Sequence, residues 1–285
     1  FASAVPAECI AALRSARNCS GGSQIRAFPF LSSTVTFQTN KAVSGRRRWS
    51  KVMSFTRGVK DELCQVHTRA SHCRQAELLG MLMAAGVVSF SAGGPRLSLS
   101  TEHRATALRA AAFFAKDLLR ESELLVTQQP PKNVQTFQVR VLSGVLSLLT
   151  QFGVSPGEDE GNSKYSFMIQ SECCKSAFLR GAFLGNGNMA DPKRRYHLEF
   201  LFSREEFALF TWNILKSLSL NARRTVRKEL YVVYLKNAED VVSLLTHMGA
   251  HGSVLEMENI RILKEIRNQV NRQTNFDNAN IDKTV

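Results

Sequence analysis

The sequence predicts an α+β protein made of two αββαββα repeats, related by a pseudo-twofold axis and followed by a linker helix. Three observations predict it. Cys73-Arg-Gln-Ala-Glu-Leu-Leu-Gly80-Met-Leu-Met-Ala-Ala-Gly86 aligns without gaps on Cys174-Lys-Ser-Ala-Phe-Leu-Arg-Gly181-Ala-Phe-Leu-Gly-Asn-Gly187, at an offset of 101 residues. Ser147-Leu-Leu-Thr-Gln-Phe-Gly153 matches Ser243-Leu-Leu-Thr-His-Met-Gly249 at an offset of 96, so the units differ by a loop change of five residues. Between these landmarks both units show the same succession of helical and strand patterns.

Residues 1–52 stand apart from this scheme. They are rich in Ser, Ala and Arg, and carry eight Lys/Arg (Arg14, Arg17, Arg26, Lys41, Arg46, Arg47, Arg48, Lys51) against Glu8. That composition fits an upstream reading frame, an organelle transit peptide or a basic functional arm. Because Met53-Ser54-Phe55 has the form of a natural start, the stretch is expected to be a disordered or non-native extension. The first repeat is expected over 53–154. In it a helix at 73–85 leads to alternating strands near 87–91 and 96–100, with the turn at Gly93-Gly94-Pro95. A helix at 102–119, strands near 123–127 and 134–141, and a closing helix at 143–152 follow. Residues 154–162, with Pro156, Gly157 and three acids, read as the connection to the next unit.

The second repeat, 155–250, takes the same order: helix 173–185, strands near 188–190 and 196–202 around Asp191-Pro192, and helix 204–218. Strands near 221–227 and 230–235 and a helix at 238–248 complete it. A last helix at roughly 251–272 and a polar, Asn-rich run at 273–280 make residues 251–285 a linker helix and tail.

Composition bounds the function. With 44% hydrophobic and 21% charged residues over 285 positions, the chain has a globular balance and the length to bury a core. No run approaches the roughly 18 continuous apolar residues of a membrane span, so no membrane partner is expected. The net charge of +13 favours a polyanionic partner, although +7 of it lies in residues 1–52 and the rest is only moderately basic. Six cysteines without a regular framework read as reduced thiols. No Ser-His-Asp set, P-loop or GxGxxG is present, so no cofactor and no small-molecule substrate are expected.

The repeated helix carries the chemistry. Ala76, Gly80 and Ala84 lie four apart on one face, as do Ala177, Gly181 and Gly185 in the second copy. Glycine inside a helix costs about 1 kcal/mol relative to alanine, and its use in both copies points to helices packed at close range about the pseudo-twofold. Leu78-Leu-Gly80-Met-Leu-Met-Ala-Ala85-Gly86 and Leu179-Arg-Gly181-Ala-Phe-Leu-Gly-Asn186-Gly187 resemble two degenerate motifs of the LAGLIDADG homing-nuclease family. The resemblance implies an acid at the penultimate position of each motif, holding divalent cations over the scissile phosphates. This sequence places Ala85 and Asn186 there. Neither supplies the anionic oxygen that hard cations require. Asp191 lies close in sequence but in a turn, so no enzyme activity is expected.

Residues 53–285 further resemble the WhiA family of bacterial sporulation and cell-division regulators. The matching segments are Met53-Ser54-Phe55, Cys173-Cys174-Lys175, Tyr196-His-Leu-Glu199, Tyr234-Leu-Lys236, Gly249-Ala-His251, Arg267-Asn-Gln-Val-Asn-Arg272 and Ala279-Asn-Ile-Asp-Lys-Thr-Val285. The resemblance implies a non-enzymatic, DNA-binding transcriptional regulator of sporulation, cell division and chromosome segregation at the bacterial nucleoid, in the cytoplasm. It also implies a helix-turn-helix domain following position 285. The competing reading is a protein-interaction module that engages another transcriptional regulator and leaves DNA to that further domain; a surviving nuclease is the third.

Double-stranded DNA is expected to meet the strands, because a saddle-shaped sheet follows a duplex groove. Candidate contacts are Arg223, Arg224, Arg227 and Lys228, with Lys193, Arg194 and Arg195 on the preceding hairpin; Lys132 and Arg140 are the sparser first-repeat counterparts. A solvated basic rim is the plainer account of the same residues. Arg261, Lys264, Arg267 and Arg272 decorate the last helix, as phosphate contacts or as a linker surface. Cys64-x2-His67-x4-His72-Cys73 matches no common zinc spacing, and Cys173-Cys174 diverge on a helix, so no metal site is expected.

Overall fold

A computed structural model describes residues 36–39, 54–91, 94–129, 134–152 and 168–284. The first repeat comprises α2 (Ser71–Ala85), β2 (Gly86–Ser91), β3 (Gly94–Thr101), α3 (Arg104–Lys116), β4 (Ser122–Gln129), β5 (Val134–Val141) and α4 (Val145–Gln151). The second comprises α5 (Glu172–Asn186), β6 (Gly187–Met189), β7 (Leu198–Phe202), α6 (Glu205–Ser217), β8 (Arg223–Arg227), β9 (Leu230–Leu235) and α7 (Ala238–Met248). Both sheets have the same antiparallel order, β4-β5-β3-β2 and β8-β9-β7-β6, which is the pseudo-twofold relation stated in topology. The connection at 154–162 lies outside the described residues, as does all of 1–52 except 36–39.

Strand alternation puts one face of each sheet on the core. Leu97, Leu99, Phe137, Val139 and Val141 are buried in the first sheet, and Leu198, Phe200, Phe202, Val233 and Leu235 in the second. The intervening residues lie on the opposite faces, which are open in the second sheet except at Val232 and Glu199, both buried.

Three elements differ from the expectations. Ser54, its hydroxyl accepting from the Arg57 N–H, caps α1 (Phe55–Leu63), which buries Val59 and Leu63 against the second repeat. Thr36–Thr39 form β1, which adds to the first sheet in parallel with β4, Thr36 opposite Glu123 and Thr39 opposite Val126. The final helix, α8, runs from His251 to Thr284, well past the expected end. Between Ser253 and Thr284 no Gly or Pro breaks it, and the polar residues of its last turns bond along the helix: Gln273 to Asp277 at 2.9 Å, Thr274 to the Val270 carbonyl at 3.0 Å. Its N-terminus is held by the Glu62 carboxylate of α1, which accepts from the Gly252 and Ser253 N–H groups at 2.6 and 2.9 Å and from the Ser253 hydroxyl at 2.6 Å.

Helices α2 and α5 form the centre and are buried on nearly every side. Their backbones touch. A methyl group on Gly181 would overlap the Glu77 carbonyl, and one on Gly80 would overlap the Phe178 carbonyl; one on Gly185 would lie 3.0 Å from Ala84 Cβ. Ala76 and Ala177 are buried on the same helices.

Beside this crossing lies a buried ion network. The fully buried Glu77 carboxylate accepts from Arg109 Nε at 2.6 Å and from Arg180 Nε and a terminal nitrogen at 3.1 and 3.0 Å. Arg109 also reaches the Cys64 and Val66 carbonyls, and Arg180 the Met248 carbonyl and the Thr68 hydroxyl. One acid of the first repeat thereby fixes an arginine from each repeat.

Gly181→Ala is expected to destabilise the chain by about 3 kcal/mol or more in urea unfolding, because the new methyl meets backbone rather than a flexible side chain. Gly58→Ala on α1, where a methyl meets nothing within 4 Å, should instead stabilise by about 0.5–1 kcal/mol. Glu77→Gln strands two guanidinium groups and should cost about 3–5 kcal/mol in the same measurement.

Candidate nucleic-acid interface

The open face of the second sheet is built from one cross-strand row. Asn188 pairs with Glu199, Glu199 with Tyr234, and Tyr234 with Arg223. Period-2 alternation puts Thr225 and Arg227 on the same side as Arg223. Arg227 reaches back across β9 to Glu199, with contacts at 3.2 and 3.3 Å to its two oxygens. Glu199 also receives Asn188 Nδ2 at 3.3 Å and His197 Nε2 at 3.2 Å. Lys236 lies over the Tyr234 ring at 5.1 Å. Thr56 of α1 donates to the row's end, its hydroxyl 2.8 Å from Asn188 Oδ1. Burial works against ionisation of Glu199, but the hydrogen bonds from His197, Asn188 and Arg227 outweigh it and hold the carboxyl below the usual carboxylate range.

The remaining candidate cations separate. Arg224 occupies the opposite side of β8, its guanidinium 4.6 Å from the Trp212 ring of α6, with Lys216 on the same ring at 4.5 Å. Neighbouring residues of a strand cannot share a face, so Arg224 does not extend the surface of Arg223 and Arg227. Lys228 sits with Glu229 in the left-handed two-residue turn that joins β8 to β9, φ 50° and 64°. Lys193, Arg194 and Arg195 lie in the turn between β6 and β7, at the other end of the sheet, where Asp191 caps the Lys193 N–H at 2.9 Å. Lys264 of α8 is committed to that turn, 2.6 Å from the Pro192 carbonyl and 4.6 Å from the Tyr196 ring, and Arg261 meets Glu239 at 3.5 Å. On the first sheet the matching row is Ser98, Arg140 and Glu123, with Arg96 nearby on β3. Lys132 lies outside the described residues.

At the sheet end of the central helices, α2 stops at Ala85 and α5 at Asn186, each followed directly by a strand. Ala85 is partly buried and Asn186 exposed. Neither of the nearby acids of the second repeat is free: Asp191 caps its own turn and Glu199 is fully engaged.

At the opposite end of the same helices the structure brings together residues that the sequence spacing kept apart. Cys64 is no partner of the histidines; it contacts the Thr106 hydroxyl at 3.8 Å, and burial pushes its thiol up to about 11. His72 and Cys73 instead meet Cys173 and Cys174, with all four potential ligand atoms within 4.8 Å of one another. Spacing along the chain hid this, because each repeat supplies half the group. Adjacent cysteines diverge on one helix, but both can face a second helix that crosses at its first turn.

Comparison with known proteins gives two family matches. The WhiA N-terminal LAGLIDADG-like domain matches residues 71–155 and the WhiA LAGLIDADG-like domain residues 175–267. The chain is 35% identical over 240 residues to a probable cell division protein WhiA of Clostridium botulinum, covering 82% of this chain and 76% of that protein. It is 38% identical over 240 residues to the protein of that name from Lachnoclostridium phytofermentans, covering 82% and 77%. Among solved structures, full-length WhiA from Thermatoga maritima superposes with a TM-score of 0.62 at 23% identity, over 81% of this chain and 74% of that one. The N-terminal LAGLIDADG domain of WhiA superposes with a TM-score of 0.56 at 23% identity, over 73% and 94%.

The Glu199 cluster has a pH signature. A carboxyl whose folded pKa is depressed stabilises the fold above its unfolded value, and that contribution is lost as pH falls through the lower folded value. Arg227→Ala removes one of its donors. The stability gap between the native chain and this variant, measured by urea unfolding, should therefore narrow as pH falls below about 4.3.

Proposed function

This chain belongs to the WhiA family, and from that premise we propose that it is a non-enzymatic, DNA-binding regulator of transcription acting in cell division and sporulation. The observation that carries the proposal is the open face of the second sheet. It displays Arg223, Arg227 and Lys236 around a single acid, Glu199, on strands whose other face is fixed to the core. Cations held on a rigid, twisted sheet can follow a phosphate backbone, with binding driven by counterion release. Tyr234, Asn188 and Thr225 on the same face add side chains suited to base edges and sugars.

Loss of cutting is the second half of the proposal. The ends of α2 and α5 present Ala85 and Asn186, and metal-assisted hydrolysis needs carboxylates there to hold hard cations. The fold is kept as a scaffold for binding, with the cleavage chemistry removed.

A protein-interaction role has its own supporting observation. Leu255, Ile262, Leu263, Ile266, Val270 and Phe276 of α8 are all more than half exposed, and several recur at helical spacing. The two roles are compatible, since this helix and the open sheet face are different surfaces.

The full chain is expected to bind labelled duplex DNA in fluorescence anisotropy, with an affinity that falls steeply as salt rises. Arg223→Ala with Arg227→Ala should weaken binding and reduce the salt slope by about 2, whereas Arg224→Ala should leave the slope nearly unchanged. Unaltered affinity in the double variant would remove the proposed surface. Duplex cleavage dependent on magnesium would overturn the non-enzymatic reading.

A further inference from the structure

The group at the N-terminal ends of α2 and α5 is a repeat feature. At the offset of 101 residues, Cys73 corresponds to Cys174 and His72 to Cys173. Each repeat thus contributes two adjacent side chains from the first turn of its central helix, and they converge where the helices come together. His72 Nδ1 lies 3.0 Å from Cys174 Sγ of the other repeat and 3.4 Å from Cys73 Sγ. All four ligand atoms fall within 4.8 Å of one another. Cys73 and Cys174 are buried, at 7% and 3% exposure, while His72 and Cys173 face solvent.

We propose that His72, Cys73, Cys173 and Cys174 form a structural zinc site that ties the first turns of α2 and α5 together across the pseudo-twofold axis. Three thiolates and one imidazole are an established closed ligand set for zinc. With bonds of about 2.3 Å to sulfur and about 2.0 Å to nitrogen, a tetrahedral ion separates its ligand atoms by roughly 3.5–3.8 Å. The shorter distances here lie near that range. The longest must contract by about 1 Å, a movement open to the two solvent-facing side chains.

Both buried cysteines lie in the first turn of a helix, where the backbone dipole favours negative charge. The Ser171 hydroxyl donates to Cys174 Sγ at 3.3 Å, which orients that sulfur. A disulfide between the repeats would use two sulfurs and leave the third and the imidazole without a role.

The proposed ion is unrelated to nuclease chemistry. Its ligands are soft, whereas phosphodiester cleavage uses oxygen ligands and hard cations. Twelve helical residues, about 18 Å, separate Cys73 from Ala85 at the other end of α2. With four protein ligands the ion has no open position, so its work is to cross-link the repeats. A site drawing half its ligands from each repeat assembles only when the two are correctly docked.

The test uses the full chain without a histidine tag, purified under reducing conditions and titrated with Co²⁺ as a spectroscopic substitute for zinc. The expected result is uptake of about one ion per chain, with the visible bands of a tetrahedral site and sulfur-to-cobalt charge transfer. Displacement by zinc should raise Tm. Cys173→Ser removes one of three sulfurs and should lower the charge-transfer intensity by about a third. His72→Ala with Cys173→Ser should abolish tight uptake. Both residues are solvent-facing, and far-UV circular dichroism of each variant serves as the check that it stays folded. Absence of uptake by the folded, reduced native chain would overturn the site. So would an unchanged stoichiometry and spectrum in the double variant, since the metal would then be bound elsewhere.

Discussion

Everything in this fold depends on two helix backbones being allowed to touch. At Gly80 and Gly181 the main chains of α2 and α5 approach so closely that neither position has room for a methyl group. Each helix is thereby buried almost all round, and each sheet is carried on the helix that precedes it. The approach also sets the charge network, because the Glu77 carbonyl lies against Gly181 while its side chain grips Arg180, one residue earlier. Packing and electrostatics enforce the same crossing. A slip along the interface would drive methyl-bearing residues into backbone and pull a fully buried carboxylate away from its arginines.

The repeat architecture was legible because close approach leaves a mark in composition: small residues at fourfold spacing, twice, in register. Other elements were not. Glu77 aligns with Phe178, and Arg180 with Leu79, so comparing the repeats hides the ion pair. Its partners come from three helices, and no local pattern connects them. Helix α1 precedes the segments that the repeat alignment joins, so the alignment does not reveal it, although Ser54 followed by Phe55, Val59 and Leu63 is a capped amphipathic pattern. The extra turns of α8 were obscured by asparagines, residues of modest helix propensity that still remain helical when nothing interrupts the hydrogen-bond ladder.

The candidate surface shows what charge counting along a chain leaves out. Arg223-Arg224 reads as one basic cluster, yet the strand sends the first to the open face and the second onto Trp212. The cations that remain on the open face are few and are organised around Glu199. An acid in that position costs attraction for phosphate but fixes the orientation of Arg227, favouring selective contacts over indiscriminate ones. The first sheet, with Arg140 paired across from Glu123, repeats the arrangement more weakly.

The clasp between the first and last helices has a mechanical meaning. Helix α8 is 34 residues long, about 51 Å, and is held over its first half by Glu62 on its first turn, by Arg261 against Glu239 and by the Lys264 contact with the β6–β7 turn. Most of its length projects beyond those anchors. It is a lever with a clamped root and a longer arm, so a tilt of a few degrees at the root moves its tip by several ångströms. The β6–β7 turn that braces this lever is joined to α5, the helix whose end borders the open sheet, by the three residues of β6. A load on that sheet and a displacement at the tip of α8 are thus joined through this turn and through α1, which bonds Asn188 with Thr56 and the base of α8 with Glu62.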